Sequence, residues 1–143
     1  MKSTFETEID APKARVAELY SNPDNNVKWM HDIKGCEHIS GKPGMPGSKY
    51  RFVPKKGTME FVATILQKKP NQYKLKMEAS NVDVLVTGTF IALSPQKTKF
   101  VSEEVFTFKG FFNKVFGFFA GSAVKKVHTR HMKAFKKFAK AAK

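Results

Sequence analysis

The 143-residue sequence predicts an α+β domain: a curved antiparallel sheet of about six to seven strands wrapped around a long C-terminal helix, with two short helices after the first strand. Three observations carry this. Apolar residues alternate with polar ones over most of residues 35–109, the period of half-buried strands. The period turns helical after Gly110. Between the first strand and the meander, two proline-marked segments have helical spacing.

The elements follow in order. In STFETEID (3–10), Phe5, Thr7 and Ile9 alternate with charges, which predicts a strand with one buried face. Pro12 suits the first turn of a helix that carries Val16, Leu19 and Tyr20. Asn22-Pro23 breaks that helix, and Pro23-Asp24 starts a second, short one with Val27, Trp29 and Met30. Cys36–Ser40 and Ser48–Val53 flank the turn-rich GKPGMPG (41–47). Met59, Phe61, Ala63 and Ile65, then Tyr73, Leu75 and Met77, mark two further strands, and residues 82–93 and 97–108 supply two more. Turn signals at Lys56-Gly57, Pro70-Asn71, Ser80-Asn81 and Ser94-Pro95 separate them, so neighbours pair antiparallel. In the last segment Val124, Val127, His131, Ala134, Phe135 and Phe138 fall on one side, with Lys126, Lys133, Lys137 and Lys140 on the other. A helix of about 25 residues spans roughly 37 Å, enough to cross such a sheet and cover its aromatic face.

Composition narrows the function. A chain of this length forms one domain, residues 1–143, with room for a core. Fourteen phenylalanines must fill a dense core or line a cavity. The single cysteine, Cys36, excludes an internal disulfide and a multi-cysteine zinc site. No secretory leader or 18-residue apolar run is present, so a cytoplasmic protein is expected. The net charge of +14 is concentrated at the C-terminal end: residues 105–143 hold ten bases and no acid. Such a field attracts anionic lipid, nucleic acid or acidic proteins.

The expected site is an apolar pocket between sheet and helix, with Tyr50, Phe52, Phe61, Ile65, Tyr73, Leu75 and Met77 from the strands. Trp29 stands at its edge, and Phe116, Phe119, Ala120, Ala123, Val127 and His131 come from the helical segment. The small residues at 120–123 leave space among phenylalanines. Tyr50, Tyr73 or His131 would orient a polar group of the ligand. Glu104 is a weak catalytic candidate. The alternation Phe100, Ser102, Glu104, Phe106, Phe108 puts it on the aromatic face, where burial would raise its pKa and suit it to proton transfer. A bulge would instead turn it to solvent, and because carboxylates are seldom buried the exposed or ion-paired placement is preferred. His131 is the other weak catalytic candidate.

No metal site is expected. His128 and His131 are three apart on the helix but have no third ligand nearby, and no cofactor motif is present. GKPGMPGSKY lacks the GK[ST] of a phosphate loop and reads as a hairpin. Cys36 beside His38 reads as a structural thiol. The lysine stripe, Lys126, Lys133, Lys136, Lys137 and Lys140, is either a solvated face or a surface for an anionic membrane. Nucleic acid is the weaker option, since no binding motif accompanies the charge. The sequence leaves oligomeric state open.

The stretch EIDAPKARVAELYSNPDNNVKWMHDIKGCEHISG resembles the opening of START-like (SRPBCC) domains in the polyketide cyclase/dehydrase and lipid-transport group. Ile9, Ala11, Pro12, Val16, Leu19, Asn22, Pro23 and Trp29 carry the pattern. The glycine hairpin before SKYRF, the GTF run at 88–90 and the GFFNKVFGFFAG lead-in agree with it. The resemblance implies the helix-grip fold with a hydrophobic cavity. The function expected is binding of a hydrophobic small molecule or lipid, at an anionic membrane surface. A cyclase or dehydratase using the same cavity, and a module binding an acidic partner through the basic helix, are the alternatives.

Overall fold

The computed structural model describes residues 1–57, 59–110 and 121–142. Seven strands form one antiparallel sheet: β1 (Lys2–Ile9), β2 (Ile33–Ser40), β3 (Lys49–Pro54), β4 (Phe61–Lys69), β5 (Gln72–Glu78), β6 (Val82–Ser94) and β7 (Lys97–Phe108). Their order is β1-β7-β6-β5-β4-β3-β2, so the meander is closed on one side by the first strand. Helix α1 (Lys13–Ser21), a 3-10 turn (Pro23–Asn25) and α2 (Asn26–Trp29) lie between β1 and β2, and α3 (Gly121–Ala141) ends the fold. This is the predicted helix-grip architecture, with β2 starting three residues earlier than expected.

An aromatic cluster fixes the helices to the sheet. Tyr20 of α1 sits at its centre, with ring centroids 4.8 Å from Phe100, 5.0 Å from Phe135 and 5.8 Å from Trp29. Phe90 and Phe100, partners across β6 and β7, stack at 5.5 Å. Gly88 of β6 lets the Tyr20 ring approach, since a Cβ there would come within 2.8 Å of it. Arg15 donates to the Ala142 carbonyl at 3.0 Å, which ties the C-terminal end of α3 to α1 and satisfies a helix-end acceptor.

Two expectations are corrected here. Met59 precedes β4 and is exposed, because the strand starts at Phe61. The buried row of α3 is His128, Met132, Phe135 and Ala139, whereas Val127 is exposed. The helix is thus rotated relative to the stripe read from apolar residues alone, because His128 has buried partners that make its side inward. The expected start of this helix, and the pocket residues Phe116, Phe119 and Ala120, lie outside the described residues.

Candidate functional site

The site grows from the pleat of β7. Its register with β6 is unbroken from Val82↔Phe108 to Ala92↔Thr98, and Glu104 sits opposite Val86. No bulge intervenes, so Glu104 stays on the face of Phe100 and Ser102 and is 17% exposed. The solvent-facing part of the preferred exposed or ion-paired placement is therefore overturned: strand periodicity prevails over the general rarity of buried carboxylates.

Two adjoining cavities lie beneath α3. The outer one, about 430 Å³, is walled by Phe52, Phe61, Met77, Val84, Phe106 and Phe108 of the sheet and by Ala123, Val124 and Val127 of α3. The inner one, about 50 Å³, is lined by Tyr20, Trp29, Tyr50, Tyr73, Leu75 and Val86 among others. Met30, Phe52, Met77, Glu104 and His131 border both, so they form the neck between them. Of the expected pocket residues, Ile65 is displaced: it is fully buried but lines neither cavity, because it packs into the core. Tyr50 lines the inner cavity, but its hydroxyl accepts the Gly44 amide at 2.8 Å and so anchors the 41–47 loop. Burial raises the pKa of both Tyr20 and Tyr73, which keeps these phenols neutral.

The polar groups at the neck come from three elements. His131 binds Asp32 through Nε2 at 2.9 Å, and this bond holds the Asp32 carboxyl below its ordinary pKa. Arg130 places its guanidinium 3.9 Å from Asp32. Burial pushes Glu104 up to about 7, against the opposing field of His131. Its nearest titratable neighbour is His128, with Nδ1 at 3.9 Å.

Sequence reasoning gave His128 no inward role. Its ring is buried, with Nδ1 2.8 Å from Ser3 Oγ and Nε2 2.9 Å from Ser102 Oγ. A neutral imidazole donates from one nitrogen and accepts at the other, and each serine hydroxyl can complement either. Desolvation, aided by His131, lowers its pKa to about 4. Between these two values both Glu104 and His128 are neutral, so their contact is not an ion pair there. The signal for this network was the inward alternation of Ser3 and Ser102.

Elsewhere the chemistry is quiet. Burial raises the Cys36 thiol to about 11, and His38 is turned to the Gly41 carbonyl at 2.8 Å, so the pair is not an activated nucleophile. Among the described residues no group of three His, Cys, Asp or Glu side chains could hold a metal ion. No helix among them is long and apolar enough to cross a membrane. Lys126, Lys133, Lys136, Lys137 and Lys140 are all exposed on α3, and none pairs with an acid among the described residues.

A seven-stranded sheet gripping a C-terminal helix over an apolar cavity defines a START-like, helix-grip protein. The sequence matches the family model for polyketide cyclase/dehydrase and lipid transport over residues 1–140, and the chain belongs to that family. Its fold is similar to a START superfamily protein from Mycobacterium smegmatis, with 16% identity, 99% of this chain and 95% of that one covered, and a TM-score of 0.75. It is also similar to the Zhui aromatase/cyclase from Streptomyces sp. R1128, at 12% identity, coverage of 97% and 93%, and a TM-score of 0.78. Norcoclaurine synthase from Thalictrum flavum, solved with dopamine and hydroxybenzaldehyde, shares 17% identity over 100% of this chain and 88% of its own, with a TM-score of 0.70. No functionally curated protein matches the sequence.

Proposed function

We propose that this protein binds a hydrophobic small molecule or lipid in the cavity between sheet and α3. The observation that carries the reading is the outer cavity: about 430 Å³, walled mainly by phenylalanine, methionine and valine, with polar groups gathered at its neck. Binding sites combine apolar walls with a few placed polar groups in this way. The driving force is removal of ligand surface from water, at about 25 cal/mol per Å². Val84 is buried and faces this cavity. Val84→Trp therefore puts an indole into the ligand's space. Titration with the neutral fluorophore N-phenylnaphthylamine will show saturable binding to the wild type and affinity at least about tenfold weaker for the variant. Equal affinity for both would remove the cavity from the reading.

The lysine face of α3 supports docking at an anionic bilayer, where apolar ligands partition. Exposed lysines on a membrane-facing helix contribute about 1 kcal/mol each. Co-sedimentation with phosphatidylserine vesicles is expected at low salt and lost at high salt. Replacing Lys126, Lys133 and Lys137 with Glu will abolish it and leave fluorophore binding intact.

Glu104 supports a second reading, an enzyme that transfers protons within a bound substrate. A carboxyl raised to about 7 inside the cavity is poised to give or take a proton near neutrality. In that case Glu104→Gln would keep substrate affinity and abolish turnover.

A further inference from the structure

Glu104 borders both cavities, yet among the described residues no donor lies within hydrogen-bond distance of its carboxyl. Its closest titratable neighbour, His128 Nδ1 at 3.9 Å, is already engaged with Ser3. The carboxyl keeps some exposure toward the cavities, so a polar group of a ligand can reach it. The inner cavity, about 50 Å³, admits only a small group. The outer cavity, about 430 Å³, has room for a larger apolar body, and the two cavities share Glu104.

Two chemistries could satisfy a carboxyl there: a cation on its ionised form, or an acceptor oxygen on its protonated form. The surrounding charge decides between them. The chain carries +14, and α3, which forms one wall of the outer cavity, presents Lys125, Lys126, Arg130 and Lys133 with no acid of its own. Asp32, the other acid lining the outer cavity, is occupied by His131 and Arg130. This field opposes entry of a cation. Resting on the cavity-binding reading above, we propose that the ligand is an uncharged apolar compound bearing a carbonyl oxygen, and that Glu104 in its protonated form donates its O–H to that oxygen at the neck.

The groups facing Glu104 are consistent with a proton at this position. Ser3 of β1 and Val86 of β6 are uncharged partners in register. Tyr20 of α1 stays neutral, and His128 of α3 is neutral above about 4. His131 of α3, the remaining base at the neck, is bound to the ionised Asp32.

The test compares two fluorophores on the full chain: a propionyl dimethylaminonaphthalene and its propyl analogue, which lacks only the carbonyl. At about pH 6 the ketone is expected to bind about tenfold more tightly. At about pH 8, where the protonated fraction of Glu104 is about tenfold smaller, most of that advantage disappears. Glu104→Gln keeps a neutral donor and will hold the advantage at both pH values. Glu104→Leu will remove it at both. Equal affinity of the wild type for the two dyes, or an advantage that grows with pH or survives in Glu104→Leu, overturns the assignment of Glu104 alone. Failure of both dyes to bind overturns the cavity-binding reading itself.

Discussion

Phe135→Ala will lower the free energy of unfolding by about 3–5 kcal/mol, the range for deleting a buried phenyl ring. Phe135 has no exposed surface. Its ring lies 5.0 Å from Tyr20, 5.2 Å from Phe100 and 5.3 Å from Trp29, all in edge-to-face arrangements. It is therefore the residue through which α3 meets α1, α2 and the sheet at once. The rings around it are held on three different elements, so they collapse poorly into the space it leaves. Urea denaturation measures the loss. A midpoint unchanged from the wild type would mean that α3 is not gripped as the fold requires.

A second large effect is hidden in the wild type and appears only when one of two groups is removed. Glu104 has a folded-state pKa raised from 4.5 to about 7, because the fold disfavours its charge. Its contribution to stability is full below its unfolded value and declines as pH rises from about 4.5 to 7. His128 has a folded-state value lowered from 6.5 to about 4, because the fold also disfavours its charge. Its contribution is full above the unfolded value and declines as pH falls from about 6.5 to 4. The two slopes are opposite in sign and overlap in range. Each amounts to at most about 3 kcal/mol over its window. Relative to the wild type, Glu104→Gln will lose stability as pH is lowered through that range, and His128→Gln will lose it as pH is raised. Denaturation at a series of pH values checks both. Parallel profiles for the two variants would show that neither group titrates as its burial dictates.

Much of this was legible in the chain. The alternation in β4 to β7 and the Asn22-Pro23 break fixed the sheet and the short helices, because period and breakers are local properties. The same alternation placed Glu104 inward. Preferring the exposed reading amounted to trusting the cost of burying a carboxylate, which protonation largely removes. His128 was less legible. A histidine among lysines looks like part of a polar face, and only the pairing of β1 with β7 brings Ser3 and Ser102 to its two nitrogens. Ile65 and Tyr50 show a further limit. Periodicity tells which face a side chain takes, but whether it meets empty space, a neighbour or a loop amide depends on contacts distant in sequence.

The cavity is most directly tested by ¹⁵N–¹H NMR of the full chain titrated with N-phenylnaphthylamine. Binding in the cavity predicts saturable shifts clustered at the amides of Phe52, Met77, Val84, Glu104 and Val127, with the outer lysine-bearing turns of α3 little changed. Shifts confined to those lysine-bearing turns or to the outer face of the sheet, or none at saturating probe, would contradict it.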